Sequence, residues 1–389
     1  MPEPVIVATA RTPIGRAFKG SLVDARPDDM AGFIIAKLLE KVPQVDFHTI
    51  EDVMVGCGLT HHEAGYNLGR NAALLAGLPV TVPGTTVNRF CSSSLQTIRM
   101  AAHAIKAGEG DIFVAAGAES ITRTLNKGFD PEDFNPRFVD ESRDDFINHV
   151  YIPMGMTAEN VAERYGISRE RMDEFGKLSQ DRAVAAQADG FFDREITPYP
   201  LPDGTFMTKD DGPRPNTTLE KLASLPPVFL PKGKVTAGNS CPFNDGAAAV
   251  LVMSDTKAAE LGVVPLARIV ASSVAAVEPE YMGIGPIPAV RTVLQRAGMK
   301  IGDVDIVEVN EAFAAQVLPV SDELGIEILD QLNPHGGAIA LGHPFGMTGA
   351  RIMTTLLNGL QTVDGTIGLE TMCVGGGMGM AMVIERLTT

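Results

Sequence analysis

Short, mainly apolar runs alternate along this chain with longer segments whose apolar residues recur at helical spacing. Residues 4–10 read as a buried strand, and Asp28-Asp29 then opens a segment whose Phe33, Ile34, Ile35, Leu38 and Leu39 fit a helix. Residues 51–56 are apolar again, 67–75 read as a helix closed by Gly77, and Thr85-Thr86-Val87 leads into a turn at Cys91. Leu95, Ile98, Ala102 and Ile105 line one face of a helix that stops near Gly108, and 111–117 supply the next strand. Apolar strands joined by helices predict parallel α/β units covered on both faces. A chain of 389 residues exceeds what one hydrophobic core holds, so more than one such unit is expected.

Between about 121 and 246 the pattern loosens. This part carries an acidic, aromatic stretch (129–146), a helix pair (157–188) and a Pro-rich region (198–231), and reads as an inserted loop domain on a rigid scaffold. Alternation resumes at residues 247–252. A faint repeat is visible: Cys91 is followed eight residues later by Arg99 on a helix, and His343 eight residues later by Arg351 on a helix. Cys91 and His343 then occupy equivalent turns of two similar halves, facing a shared centre. The expected division is 1–120 plus 247–272 for the first half, 121–246 for the insertion and 273–389 for the second half.

A net charge of −16 argues against nucleic acid as a partner. An anionic ligand would need a local basic surface. Lys209, Arg214, Lys221, Lys232 and Lys234 fall in one loop-rich segment that offers it, or form an ordinary mixed-charge surface. No apolar stretch approaches the ~18 residues that span a bilayer. The opening residues run directly into a strand without a signal layout, so a cytoplasmic location is expected. Cys57, Cys91, Cys241 and Cys373 lie far apart, which suggests neither a zinc site nor a disulfide framework. His61-His62-Glu63 fails the H-E-x-x-H pattern because Tyr66 stands four after His62, and no metal is assigned.

Four segments carry chemistry. Cys91, in Cys91-Ser92-Ser93-Ser94, follows a strand and opens a helix, where unpaired N–H groups and the helix dipole favour a thiolate. Its alternative is a buried structural thiol. His343 is framed by Gly342 and Pro344, which fix its backbone; it is suited to take a proton from Cys91, or to a structural hydrogen bond. Cys373 precedes Val374-Gly375-Gly376-Gly377, a turn between strands and not a dinucleotide fingerprint, because a strand and no helix follows. Such a turn lets the Gly375 N–H reach an oxyanion, and a thiol on it can exchange a proton with a substrate carbon. Asn310, in Asn310-Glu311-Ala312-Phe313-Ala314, can hold a water or an oxyanion, or cap the next helix; Glu311 reads as structural.

The chain resembles the thiolases, acetyl-CoA C-acyltransferases, along essentially its whole length. The resemblance rests on those segments and on Met154-Gly155-Met156-Thr157-Ala158-Glu159-Asn160, Thr236-Ala237-Gly238-Asn239, Asn244-Asp245-Gly246-Ala247-Ala248-Ala249 and Gly283-Ile284-Gly285-Pro286, all in order. It implies duplicated α/β halves in a layered α/β/α/β/α core with an inserted loop domain. It also implies CoA as a co-substrate with no permanently bound cofactor, and homodimers or homotetramers, with 121–150 contributing to assembly.

The implied reaction is ping-pong. Cys91 attacks the keto carbonyl of a 3-ketoacyl-CoA with His343 as proton acceptor. Cys373 protonates the departing acetyl-CoA carbanion and then deprotonates the incoming CoA. Asn310 positions a water that, with His343, stabilises the thioester oxygen, and the N–H groups of Cys91 and Gly375 form the second oxyanion hole. For CoA, the resemblance points to Arg214, Ala237, Ala312 and Phe313, with Cys241 where the family has a contacting Ser; Met154 and Met282 would line the acyl pocket or fill the core.

Pro153 stands where many biosynthetic members have His, and Ser94 where Gly is usual. These departures favour degradation of fatty acyl or related chains, with a biosynthetic acetoacetyl-CoA enzyme as the alternative. A decarboxylating ketosynthase, a Cys/His/Asn hydrolase and a non-catalytic acyl-CoA carrier are weaker fits. The first two give Cys373 no role, and the third predicts a missing catalytic residue.

Overall fold

The computed structural model describes residues 2–125, 131–140, 142–143, 146–147 and 149–387. Two short motifs of one topology build it. The first comprises β1 (Pro4–Arg11), α1 (Pro27–Leu39), β2 (Asp52–Gly56), α2 (Leu68–Leu75), β3 (Gly84–Val87), α3 (Ser93–Ala107) and β4 (Ile112–Ser120). The insertion holds α4 (Met154–Arg164) and α5 (Arg169–Ala188), and β5 (Asn244–Ser254) returns to the sheet. The second motif comprises β6 (Ala267–Ala276), α6 (Pro286–Ala297), β7 (Ile306–Val309), α7 (Ala314–Leu324), α8 (Thr348–Val363), β8 (Ile367–Val374) and β9 (Met378–Arg386).

Strand order is β1-β5-β4-β2-β3 in the first half and β6-β9-β8-β7 in the second. Each half runs antiparallel, antiparallel, parallel from its inner strand outward (β1–β5, β5–β4, β4–β2; β6–β9, β9–β8, β8–β7). The halves meet where β1 and β6 share only the pairs Val5↔Arg268 and Ile6↔Ala267. Helices α3 and α8, the two that follow Cys91 and His343, pack together between the halves, while α1 and α2 cover one outer face and α6 and α7 the other. This is the layered α/β/α/β/α arrangement.

The sheet is mixed, and the expectation of parallel units holds only for β2–β3, β2–β4 and β7–β8. The cause is connectivity. β8 and β9 are joined by residues 375–377, too few to cross over, so they must run antiparallel. β5 arrives from the insertion rather than through a crossover helix. β6, whose first residues were read with the first half, pairs along its length with β9 of the second.

The helices begin and end where the sequence signals them. Asn67 accepts the Arg70 N–H at the start of α2, and Gly108, left-handed at φ 75°, closes α3. Part of the segment expected to aid assembly, residues 126–130, 141, 144, 145 and 148, lies outside the described residues. Among the described residues no helix is long and apolar enough to cross a membrane, and no group of His, Cys, Asp and Glu is arranged to hold a metal ion.

Candidate active site

Cys91 lies between β3 and α3 on a turn shaped by its neighbours. Asn88 Oδ1 accepts the Phe90 N–H (2.8 Å), and Ser93 Oγ donates to the Phe90 carbonyl (2.6 Å) while accepting the Arg89 N–H (3.0 Å). These bonds hold Phe90 at φ 44°, a conformation unfavourable for an aromatic residue. The thiol keeps part of its surface open and receives the Gly375 N–H. Burial pushes it up to about 11, with the Gly375 hydrogen bond pulling against that rise. The helix terminus was expected to lower this pKa; desolvation outweighs it, so the resting group is a thiol.

The second motif brings the helix that follows His343 against the start of α3. Helix α8 meets the start of α3 so closely that the Ala350 N–H donates to Ser94 Oγ (2.9 Å), and a side chain at Gly349 would strike Leu95. His343 is 2 % exposed. Its backbone N–H donates to Asn244 Oδ1 (3.0 Å), and Asn244 Nδ2 donates to the Gly15 carbonyl (3.0 Å). Gly342 must be glycine here: it adopts φ 113°, and an added Cβ would lie 2.5 Å from the Asn244 side chain. On the ring, Nδ1 is 2.7 Å from Thr348 Oγ1, and Nε2 is 3.3 Å from Asn310 Nδ2. Burial, reinforced by Arg351, pulls the imidazole down to about 3, so it rests neutral.

Asn310 follows β7, and its N–H donates to the Thr371 carbonyl (3.0 Å). Helix α7 starts only at Ala314, with Phe313 in the cap position, so Asn310 does not cap it. Its buried Oδ1 meets no protein donor among the described residues and is available to a ligand. Glu311 accepts hydrogen bonds from Ser179, Asn333 and the Ile339 N–H, which fits a structural role.

Cys373 ends β8, fully buried, and burial raises its thiol well above the ordinary range, with the Cys91 and Cys241 thiols adding to the rise. Cys241 is likewise pushed up by burial and then by Cys91. Three thiols thus share one electrostatic neighbourhood.

The residues expected around CoA separate into two groups. The strip 239–241 runs beside 312–314: Cys241 N–H donates to the Ala312 carbonyl (3.0 Å), Ser240 bridges Phe313, and Ala314 N–H donates to the Asn239 carbonyl (2.9 Å). Phe229 stands edge-on to Phe313 at 6.4 Å. Met154 lies beside the Cys91 turn, since a Cβ at Gly375 would meet its Sδ at 3.8 Å and the Phe90 ring at 3.4 Å. Cys241, Ala312, Phe313 and Met154 are therefore gathered at the centre. Arg214 and Ala237 are exposed on the inserted loops, Arg214 with its N–H donating to Gln180 Oε1 (2.8 Å). Met282 is 1 % exposed, inside the same buried cluster as Phe313 and Cys373.

Sequence reasoning gave no role to Thr348, Asn244 or Glu119. The signal for Glu119 was present: it is an acid inside strand β4, apolar apart from it and the terminal Ser120, where every residue is buried. Its carboxylate accepts the N–H groups of Gly58, Leu59 and Gly346, and burial raises it to about 7 against those donors.

Comparison with known proteins matches residues 4–256 to the thiolase N-terminal domain and 263–386 to the thiolase C-terminal domain. The chain belongs to the thiolase family. It is 44 % identical over 402 residues to a beta-ketoadipyl-CoA thiolase of Acinetobacter baylyi and 45 % identical over 399 residues to a 3-ketoacyl-CoA thiolase of Idiomarina loihiensis, covering all of both chains in each case. Among solved structures, the dimeric peroxisomal thiolase of Saccharomyces cerevisiae superposes with a TM-score of 0.93 at 39 % identity, over 99 % of this chain and 97 % of that one. The acetyl-CoA acetyltransferase of Bacillus anthracis superposes at 0.89 and 38 % identity, over 100 % and 99 %. As a thiolase the chain is an acyltransferase that takes CoA as a substrate and needs no permanently bound cofactor.

Proposed function

We propose that this thiolase works in the degradative direction, cleaving a 3-ketoacyl-CoA with CoA into acetyl-CoA and a shortened acyl-CoA through an acyl-Cys91 intermediate. The observation that supports the reading is His343 Nε2, 3.3 Å from Asn310 Nδ2, taken with the Gly375 N–H on the Cys91 thiol and the coupling of Cys91 to Cys373.

Because Cys91 and His343 both rest neutral, the thiol proton leaves as the sulfur attacks rather than beforehand. His343 Nε2 accepts that proton. The charge developing on the keto oxygen is met by the backbone N–H groups of Cys91 and Gly375, a contribution typically worth about 3 kcal/mol per donor. The Cα–Cβ bond of the substrate breaks, and its electron pair takes a proton from Cys373 to give acetyl-CoA. CoA then enters, Cys373 takes its thiol proton, and the CoA sulfur attacks the acyl-Cys91 thioester; the Cys91–acyl bond breaks, and the departing Cys91 sulfur takes back the proton held by His343. Asn310 and His343 hold the thioester oxygen. Burial of Cys373 suits both transfers, since a thiol kept neutral at rest is an acid until the carbanion forms.

The substrate reading is an acyl chain in β-oxidation or a related degradation, supported by the 3-ketoacyl-CoA and beta-ketoadipyl-CoA thiolases among the relatives and by Pro153 before Met154. A soluble cytoplasmic homodimer or homotetramer is the assembly this reading carries. The test is CoA-dependent acetyl-CoA release from 3-ketoacyl-CoAs, from acetoacetyl-CoA through long and carboxyl-terminated chains, by wild type and Cys91→Ala. Release that vanishes in the mutant and favours chains beyond four carbons supports the proposal. Activity confined to acetoacetyl-CoA overturns the degradative assignment, and no release at any length overturns thiolysis of these substrates.

A further inference from the structure

Glu119 is a fully buried carboxylate at the C-terminal end of β4, next to the shared centre yet outside the chemistry derived above. Its four donors are all neutral. Oε2 accepts the Gly58 N–H (2.7 Å) and the Gly346 N–H (2.9 Å); Oε1 accepts the Leu59 N–H (3.2 Å) and faces the Cys57 thiol at 3.6 Å. A buried carboxylate with neutral donors is a costly way to fill a core, and apolar packing of the same volume would serve stability as well.

What the donors belong to is informative. Gly346 lies three residues beyond His343, in the second half of the chain, whereas Cys57, Gly58 and Leu59 belong to the loop after β2 in the first half. The first loop leads on to the nucleophile turn: Asn88 Nδ2 donates to the Gly58 carbonyl (3.1 Å), and Asn88 Oδ1 accepts the N–H of Phe90, the residue before Cys91. One carboxylate therefore ties the Cys91 turn, through Gly58 and Asn88, to the loop that carries His343. The fit is close on both sides. A Cβ at Gly346 would lie 2.6 Å from the Gly56 carbonyl oxygen, and one at Gly58 would lie 2.9 Å from Phe345 Cβ.

We propose that Glu119 is a positioning residue for thiolysis, holding the Cys91 and His343 loops in mutual register across the seam between the two halves. This inference rests on the function proposed above. A shift of a fraction of an ångström between nucleophile and base slows chemistry without altering how CoA or the acyl chain is held.

The test is Glu119→Gln in the full-length enzyme. An amide keeps the volume but turns an N–H₂ toward at least one N–H that needs an acceptor. The expected result is a fall in kcat of about tenfold or more per active site, counted by acetyl-enzyme formation, with KM for CoA and ketoacyl-CoA within about twofold of wild type. A purely structural role would instead lower the fraction of active sites and leave kcat per site unchanged. Alkylation of Cys91 by iodoacetamide needs no substrate and is expected to change in rate by about threefold or more. Both quantities within about twofold of wild type would overturn the proposal. If the wild type shows no thiolysis, the functional reading falls and the alkylation rate alone decides the clamp. If Glu119→Gln does not fold, Asn88→Ala severs only the leg to Cys91, and the same two readouts decide in the same way.

Discussion

Thr348 fixes which nitrogen of His343 carries the proton. The Thr348 hydroxyl donates to the Pro344 carbonyl (2.8 Å), so toward His343 Nδ1, 2.7 Å away, it can only accept. Nδ1 is therefore the protonated nitrogen, and Nε2 presents its lone pair to the centre, where the Asn310 amide donates to it across 3.3 Å. A base with the lone pair on the other nitrogen would point it into the helix.

Thr348→Val removes this acceptor at nearly constant volume and leaves the Nδ1 proton buried without a partner. The expected loss is about 10- to 100-fold in kcat, in the range of a mis-set general base, with a stability cost of about 1–3 kcal/mol. Thr348→Ser keeps the hydroxyl and is expected to recover most of the rate. Steady-state kinetics of the pair check this, and equal rates in Val and Ser variants would sink the tautomer assignment.

The raised Cys91 pKa sets a second expectation. With the thiol near 11 and no thiolate stored at rest, Cys91 alkylation in the free enzyme is expected to accelerate steadily from pH 7 to pH 10. His343, pulled down to about 3, adds no inflection across that range. Rates of iodoacetamide labelling at Cys91, read by peptide mass spectrometry, check the slope. A plateau below pH 8 would mean that a preformed thiolate exists after all.

Cys241 occupies the strip beside Ala312, close enough to Cys91 and Cys373 for the three thiols to raise one another. Cys241→Ser keeps the size and adds a hydroxyl beside Phe313. Because the reaction proposed here uses only Cys91 and Cys373, the variant is expected to retain kcat within about threefold and to change chiefly KM for CoA. A kcat loss as deep as that of Cys373→Ser would instead make Cys241 a participant in proton transfer.

Both the folding pattern and the turns that carry Cys91, His343 and Cys373 were legible in the sequence, for different reasons. The strand runs at 4–10 and 111–117 are apolar but for Thr9 and Asp111, and Gly342-His343-Pro344 and Gly375-Gly376-Gly377 announce backbone that must turn tightly. The mixed sheet was not legible, because strand direction depends on whether a connection crosses over, and local pattern carries no record of that. Thr348 and Glu119 were missed for another reason: each acts by accepting or placing a hydrogen bond on a loop distant in sequence, at a spacing that resembles ordinary helix or strand chemistry. The Cys91 pKa was misjudged because the helix terminus is a local feature and burial is not.

Beneath the site, Glu308 on β7 stands directly across from Glu370 on β8, and Arg351 of α8 is buried against them. Both Glu370 oxygens, Glu308 Oε1 and Arg351 Nε and Nη1 have no protein partner among the described residues. Burial raises Glu308 to about 8 and Glu370 well above the usual carboxylate range, with Arg351 pulling each back. The folded chain therefore keeps protons that the unfolded chain releases above about pH 4.3. Between that pH and about 8 the folded state binds more protons than the unfolded state, so this cluster's contribution to stability is largest in acid and falls as pH rises. Glu370→Gln is neutral at every pH and removes part of that fall. Relative to wild type, it is expected to lose about 1–3 kcal/mol less stability between pH 6 and pH 9. Denaturant unfolding of both proteins at the two pH values measures the difference. An identical fall in both would mean that Glu370 is already ionised in the native state and paired more strongly with Arg351 than its geometry indicates.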